Sequence, residues 1–360
     1  MQGLDDEGGR KRRDVRMGAP RRALRSLGIV VAAVVLLSGG AMVGLQAESV
    51  VASWKWRSVV SEVVAAPLPE LVTGATGYAR SGDLLIWYEA IPPQGDRQGV
   101  VLLMMGMGDD ALGWPRAFID AFLERGHMVV RYDHRGTGLS SWDIADTRFT
   151  LEDMAGDARA VLDALGIARA HVVGHSMGGM VAQQFALSHP ERTVSLTSIA
   201  SSANVADAEI RKAPRLMQLR LIWAWASHIL RRGGERSLVG VKLAERRILT
   251  GTGPWEIDVR SLAQAVLYNV RKRRGYNLRA MRPHMNAMGR SGSRREALGA
   301  LTVPALVIHG RDDRAMAFAH GEKTARAIPG ARTLWVDGMG HDIPDPLAGP
   351  FADAILALGR

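Results

Sequence analysis

The sequence predicts an α/β protein: a mostly parallel, doubly wound sheet with an inserted helical cap and an N-terminal transmembrane helix. Three observations predict this arrangement. Strand-like and helix-like segments alternate along most of the chain, which is typical of parallel strands joined by crossover helices. The alternation stops between residues 203 and 300, where only helical patterns occur. Near the N-terminus, residues 26–47 form an uninterrupted stretch without charge.

Residues 26–47 are long enough to cross roughly 30 Å of hydrocarbon as a helix. The tail before them, residues 1–25, holds 8 Lys/Arg, and the positive-inside rule then places it in the cytoplasm and everything after residue 47 outside. Trp54 and Trp56 follow closely and are expected at the far membrane interface. We expect a signal anchor, and two alternatives stay open. One is a cleaved export signal, indicated by "RRALR" at 21–25, and the other is a buried helix.

The remaining elements follow in chain order after a linker over residues 48–72. The predicted core runs over 73–202 and 301–360, and the helical cap fills 203–300 between its two parts. Short apolar runs predict strands buried on both faces, at residues 84–90, 99–105, 127–133, 170–174, 194–200, 304–310 and 332–338. Helical spacing predicts crossover helices between them, at about residues 114–125, 151–165, 177–188, 318–328 and 347–358.

Composition excludes several classes of function. The chain has no cysteine, which rules out disulfides, thiol catalysis and iron–sulfur clusters. The net charge of +10 is concentrated, because residues 203–300 hold 20 Lys/Arg against 7 Asp/Glu. Outside the cap and the N-terminal tail the balance is 18 against 25, so no nucleic-acid partner is predicted. The basic cap is a candidate surface for anionic lipid, although a charge run is usually a solvated helix face.

Ser176, in "GHSMGG" at 174–179, lies between an apolar strand pattern and a helical pattern. A sharp strand-to-helix turn lifts the serine oxygen above the sheet and directs the first N–H groups of the helix at the same space. Gly174 and Gly178 would relieve crowding there, and Ser176 is expected to adopt a strained backbone conformation. The alternative is an ordinary glycine- and serine-rich turn.

A serine nucleophile needs a base, an orienting carboxylate and an oxyanion site. His341, in "WVDGMGHDIPDP" after the last predicted strand, is the candidate base, whereas His175 and His309 are less suitably placed. Asp312 or Asp313 is the candidate acid, because both follow the strand that ends at Gly310. The resulting order of serine, aspartate and histidine is the one found in hydrolases with such a turn.

The oxyanion site is expected to use two backbone N–H groups, those of Met177 and Met107. Met107 lies in "MMGMGDD", where glycines at 106 and 108 allow the loop to approach the substrate. The sequence has no nucleotide-binding or metal-binding motif, so no cofactor and no metal is predicted. The segment "YDHRGTGLS" at 132–140 is expected to supply turn structure instead of catalysis.

With "GHSMGG", "YDHRGTGLS", "HGRDD" and "GMGHD" in this order, the sequence resembles the α/β-hydrolase fold superfamily over roughly residues 73–360. The resemblance implies that fold and selects Asp313, since the acid in this superfamily commonly stands three residues after the glycine that closes its strand. "MMGMGDDALGWP" and "AHVVGHSMGGMVAQ" look like the aclacinomycin methylesterase group, which hydrolyses methyl esters on polyketides. Ser176 argues against the epoxide hydrolases and haloalkane dehalogenases, which use aspartate.

These observations predict a cofactor-free serine hydrolase, a carboxylic ester hydrolase that works through an acyl-enzyme. Its substrate would be a small-molecule or lipid ester. The expected location is a membrane, with a single pass and an extracytoplasmic catalytic domain, or outside the cell membrane after signal cleavage. The alternative function is a non-enzymatic membrane-associated receptor or scaffold whose basic cap binds lipid or a partner. The sequence makes no prediction of oligomeric state.

Overall fold

The computed structural model describes residues 56–144, 148–230 and 233–359, and its central element is one eight-stranded sheet. The strands are β1 (Ala75–Ser81), β2 (Leu84–Ile91), β3 (Gly99–Met104), β4 (His127–Tyr132), β5 (Ala170–His175), β6 (Thr193–Ile199), β7 (Ala305–Gly310) and β8 (Arg332–Val336). Their order is β1-β2-β4-β3-β5-β6-β7-β8. Strand β2 pairs antiparallel with both of its neighbours, β1 and β4. All the other neighbouring strands, from β4 through β3 to β8, are parallel. The predicted mostly parallel sheet is confirmed.

Helices cover both faces of the sheet because successive strand residues point to opposite sides. Leu102 and Met104 join one apolar cluster, whereas Val101 and Leu103 join another. The first cluster is covered by α2 and α3, and the second by α1 and α10. The helix bounds are α1 (Arg116–Leu123), α2 (Leu151–Ala164), α3 (Met177–Ser188), α4 (Arg215–Leu230), α5 (Glu235–Leu249), α6 (Val259–Lys272), α7 (Met281–Arg290), α8 (Arg295–Leu298), α9 (Phe318–Ala327) and α10 (Ala348–Leu356).

Strand β1 is the strand that the sequence analysis missed. It lies at the edge of the sheet and pairs only with β2. Of its residues only Ala79 is buried, so the strand lacks the continuous apolar run by which the other strands were recognised. An edge strand with one covered face and polar exposed residues gives a weak sequence signal.

Helices α4 to α8 lie between β6 and β7, in the part of the chain predicted as the cap. Helices α5 and α6 share a third apolar cluster that includes Val239 and Val266. Residues 56–65, which are helical, pack on the same cluster through Val63 and the half-buried Trp56. Trp56 is therefore in contact with the cap, and its place at a membrane interface stays a prediction.

The predicted transmembrane segment, residues 26–47, lies outside the described residues, as do the basic tail and Trp54. Within the described ranges, no helix combines the length and the hydropathy needed to cross a membrane.

The position of the site follows from the strand order. The chain passes from β3 to β4 on one side and reaches β5 on the other side of β3. The carboxyl ends of β3 and β5 therefore meet where the winding direction reverses, the usual place for a ligand in an open α/β sheet. The loop with Met107 follows β3, and Ser176 follows β5.

Candidate active site

Ser176 occupies a strained turn between β5 and α3. Its backbone angles are φ 56° and ψ −121°, a region that costs a residue with a side chain on the order of 1–3 kcal/mol. A Cβ on Gly174 would lie 2.1 Å from the carbonyl oxygen of Gly178, and one on Gly178 would lie 2.0 Å from that of Met104. Glycine is required at both positions because strand and helix approach so closely. The strained conformation expected at Ser176 is present.

Backbone hydrogen bonds hold this turn in place. The N–H of Ser176 donates to the carbonyl of Ile199 at 2.9 Å, which ties the turn to the neighbouring strand β6. The carbonyl of Ser176 accepts the N–H of Gly179 at 3.0 Å and the hydroxyl of Ser201 at 2.6 Å. These bonds fix the backbone on both sides of the serine, so that its side chain projects from a rigid support.

The structure brings Ser176, His341 and Asp313 together in one hydrogen-bonded chain. His341 Nε2 lies 2.9 Å from Ser176 Oγ, and His341 Nδ1 lies 2.7 Å from Asp313 Oδ2. With Nδ1–H donating to the carboxylate, Nε2 is left to accept the serine proton. His341 and Asp313 are buried, whereas Ser176 is partly exposed.

Asp313 is held by several donors. Its Oδ1 accepts the N–H groups of Ala315 at 2.9 Å and Met316 at 2.8 Å. Burial by itself would raise the pKa of Asp313, but the charge of His341 and hydrogen bonds from His309 and His341 outweigh it, so the pKa stays well below its usual value. This carboxylate is therefore ionised at neutral pH.

Asp312, the other candidate acid, does not reach the histidine ring. Its carboxylate accepts the backbone N–H of Thr252 at 3.0 Å and also the hydroxyl of that residue. Those bonds lower its pKa and connect the loop after β7 to the segment after α5. The structure thus separates two adjacent aspartates whose roles the residue pattern had left open.

His341 is positioned by its backbone as well as by Asp313. Its N–H donates to the carbonyl of Leu249 at 2.8 Å, at the end of cap helix α5. Its own carbonyl accepts Nε2–H of His175 at 2.6 Å. Burial opposes the charged imidazolium of His341, but the charge of Asp313 and the hydrogen bond to it prevail and raise its pKa. Burial lowers the pKa of His175 to about 3, so this residue stays neutral.

Two segments that carry the predicted oxyanion donors reach Ser176. Met177 is the first residue of α3, so its N–H has no acceptor within the helix. A Cβ on Gly106 would lie 3.4 Å from Ser176 Cβ, which places the loop residue before Met107 against the nucleophile. The side chain of Met107 packs on the apolar cluster that includes Met104.

The cap holds the loop that contains Met107, a feature that the sequence did not indicate. The N–H of Gly108 donates to His284 Nδ1 at 3.3 Å, and His284 Nε2–H donates to the carbonyl of Arg135 at 2.8 Å. Lys242 Nζ lies 2.9 Å from Asp109 Oδ1. Helices α7 and α5 therefore contact consecutive residues of one loop.

A buried charge cluster, formed by Arg273, Asp110 and Asp133, makes the third contact between cap and loop. Arg273 follows helix α6, and its Nη1 lies 3.4 Å from Asp110 Oδ1 while its Nη2 bonds Asp133. Asn269 of α6 also donates to Asp110. Asp133 in turn accepts the N–H of Leu139 at 2.7 Å, so the segment "YDHRGTGLS" is part of this scaffold.

Comparison with known proteins identifies the family. The sequence model of the alpha/beta hydrolase fold family matches residues 99–222. Rhodomycin D methylesterase DauP of Streptomyces sp. (strain C5) is 31% identical over 77% of this chain and 96% of its own. The chain belongs to the α/β-hydrolase fold superfamily. A further relative of this α/β hydrolase is the putative carbamate hydrolase RutD of Azorhizobium caulinodans, 32% identical over 73% of this chain and 91% of its own.

Solved structures agree with this fold. The match to the esterase RhEst1 from Rhodococcus sp. ECU1013 covers 79% of this chain and 99% of the esterase, with a TM-score of 0.61 at 22% identity. A bacterial membrane phospholipase A covers 94% of this chain and 98% of its own with a TM-score of 0.58 at 20% identity. At these identities the likeness concerns the fold alone.

Proposed function

We propose that this α/β hydrolase is a serine hydrolase that cleaves carboxylic esters. The observation that carries the proposal is the chain of hydrogen bonds from Ser176 through His341 to Asp313, at 2.9 Å and 2.7 Å. These distances lie within the reach required between a nucleophile, its base and the group that orients the base. The strained turn at Ser176 and the rigid support beneath it favour the same role.

In the proposed mechanism, Ser176 Oγ attacks the ester carbonyl while His341 Nε2 takes the hydroxyl proton. The carboxylate of Asp313 stabilises the imidazolium and keeps the ring in the tautomer that can accept this proton. The N–H groups of Met177 and Met107 would bind the oxyanion, and each such donor is worth about 3–4 kcal/mol of transition-state stabilisation. His341 then protonates the leaving alcohol.

The resulting acyl-enzyme is hydrolysed by the reverse sequence. His341 Nε2 takes a proton from water, the hydroxide attacks the acyl carbon, and the proton returns to Ser176 Oγ as the acid leaves. These steps use only water and the chain's own groups. The low pKa of Asp313 keeps the orienting charge in place throughout the cycle.

For the substrate class we propose esters with a small alcohol, such as methyl esters. Two relatives with about 30% identity over 77% of this chain are rhodomycin D methylesterases. A second candidate reaction is carbamate hydrolysis, which the RutD relative favours and which the same nucleophile and oxyanion site would serve. The non-enzymatic receptor or scaffold is not favoured, because these relatives are named as hydrolases.

We propose in addition that residues 26–47 anchor the protein in a membrane and leave the catalytic domain outside the cytoplasm. The support is the sequence: an uncharged stretch of spanning length behind 8 Lys/Arg. Export followed by signal cleavage is the alternative. Extraction of membranes with alkaline carbonate separates the two, since an anchored chain stays in the membrane fraction and a cleaved one is released.

The catalytic proposal is tested with a fluorophosphonate probe on the full chain. Ser176→Ala should abolish both labelling and ester turnover, because the Ser176 hydroxyl is the one that is hydrogen-bonded to His341 among the residues that the structure describes. Ser188→Ala, at the other end of the same helix, is the matched control and should label normally. Undiminished turnover by a folded Ser176→Ala enzyme would end the proposal. Methyl esters, long-chain esters and carbamates assayed in parallel then rank the substrate classes.

A further inference from the structure

Cap helix α4 (Arg215–Leu230) carries a broad apolar face exposed to solvent. Ile222 is 64% exposed and Leu230 76% exposed, although both are large aliphatic residues. At 100° per residue the exposed apolar side chains fall within an arc of roughly 140°. They are Leu216, Leu219, Ile222, Trp223, Ile229 and Leu230.

The opposite side of α4 is already in use. Met217 is buried, and the helix packs against α5. Trp225 Nε1 donates to Glu245 of that helix. The apolar stripe of a helix is normally covered by a partner, and the described residues provide no cover for the exposed face of α4.

The charges around α4 favour an anionic partner. Residues 211–232 contain six Lys/Arg and no Asp or Glu. Arg215 is the first residue of the helix and Arg211 and Lys212 precede it, and all three are exposed. An apolar face that carries tryptophan and is flanked by Lys and Arg is the pattern of a helix that lies in the interface of an anionic bilayer.

The path of the chain favours the same partner. Eight residues lie between residue 47, the end of the proposed membrane span, and residue 56, and the nine Cα–Cα steps across them reach at most about 32 Å. Residues 56–65 pack on the cap, where Val63 contacts the cluster formed by α5 and α6. The chain thus joins the catalytic domain at the cap, and a span over residues 26–47 would tether the domain there through a linker of that reach.

We propose that α4 docks on an anionic lipid surface, with its exposed apolar face below the headgroups and Arg211, Lys212 and Arg215 among the phosphates. The linker after residue 47 favours docking only if the proposed anchor is correct. The exposed apolar face of α4 and the charges beside it are independent of the anchor. Docking concerns neither the nucleophile nor the turnover of soluble esters, so its test is independent of the proposed hydrolysis.

The absence of cysteine allows a single reporter to be placed in the full chain. Ile222→Cys, labelled with an environment-sensitive dye, reports on the α4 face. Arg326→Cys is the matched control, because Arg326 is exposed and lies at the end of α9. Crossover helices run opposite to the strands, so this end is at the edge of the sheet away from the site. Circular dichroism and cooperative urea unfolding verify that each labelled protein is folded.

Both proteins are reconstituted in phosphatidylcholine vesicles with or without phosphatidylglycerol. The expected result is a blue-shifted, brighter emission from position 222 in vesicles with phosphatidylglycerol, and no change at position 326. Replacing Arg211, Lys212 and Arg215 with glutamine should reduce the ratio of docked to undocked α4 by about 10- to 100-fold, given the contribution of each cation near an anionic surface.

Three results would overturn the proposal. The first is a label at position 222 that stays in water while the protein co-floats with anionic vesicles, which would leave the anchor intact. The second is an equal shift in vesicles without phosphatidylglycerol, which contradicts an anionic surface. The third is a shift without any vesicles that grows with protein concentration, which would identify a second copy of the chain as the partner.

Discussion

Replacing Arg273 with methionine should destabilise the fold by about 3–5 kcal/mol at neutral pH, the usual cost of removing one partner from a buried ion pair. The side chains of Arg273, Asp110 and Asp133 are only 2%, 3% and 0% exposed. The guanidinium also lies 4.4 Å from the centroid of the Trp87 ring. Methionine fills a similar volume, so the main loss is the charge that compensates two buried carboxylates.

The penalty should depend on pH. Burial raises the pKa of Asp133 to about 7, with the charge of Arg273 lowering it and that of Asp110 raising it. In the unfolded chain the pKa of Asp133 lies near 4. Between about pH 4 and pH 7 the folded state therefore carries a proton that the unfolded state lacks. The stabilisation by that proton is present at low pH and lost as pH rises through the folded pKa. Without Arg273 the folded pKa is higher still, so the penalty should grow above pH 7 by about 1.4 kcal/mol per unit.

Urea unfolding of the wild type and Arg273→Met at several pH values measures this difference. Arg326→Met is the control, because Arg326 is 75% exposed and a surface substitution is expected to stay within about 0.5 kcal/mol. A penalty that is the same below and above pH 7 would refute the reasoning. So would an Arg273→Met protein as stable as the control at pH 8.

Two further predictions concern the site. Asp313→Asn should lower kcat about 10⁴-fold through the wrong tautomer of His341, while Asp312→Asn keeps near-normal turnover. Because Asp313 raises the pKa of His341, wild-type activity should fall as pH drops through that pKa. In Asp313→Asn this acidic limb of the pH–activity profile should move to lower pH. An acidic limb at the same pH in both enzymes would contradict the role of Asp313 as the partner of His341. His284→Leu frees the N–H of Gly108 and should lower kcat about tenfold or more with little change in KM. Substitution of its exposed neighbour, Met285→Leu, should leave kcat at the wild-type value. Equal kcat in both variants would show that His284 does not position the loop for catalysis.

The sequence predicted those parts of the molecule whose signals are local. An apolar run predicts a buried strand. The glycines at 174 and 178 predict the turn at Ser176, and the structure leaves no room for a side chain at either position. His341 and Asp313 were found because each follows a strand that was already recognised. The family resemblance was needed for Asp313 over Asp312, since adjacent residues after one strand differ only in the direction they face.

The contacts between the cap and the core were not predicted, because they join residues far apart in the chain. Asp110 and Arg273 are one example, and Gly108 and His284 are another. Neither pair has a spacing that distinguishes it from the many other charges and histidines of the chain. His175 was considered only as a less suitable base, yet its ring donates to the carbonyl of His341. Such pairs are specified by the tertiary packing alone.

In the proposed mechanism these contacts give the cap a part in catalysis. Gly108, Asp109 and Asp110 follow the proposed oxyanion donor Met107, and each is bonded to a different part of the cap. The end of α5 also accepts the N–H of His341. A loop that must place an N–H group within a few tenths of an ångström gains accuracy from supports on several rigid elements. In the proposed mechanism the cap therefore aligns the oxyanion site, and substitutions at these cap contacts should lower the rate of hydrolysis.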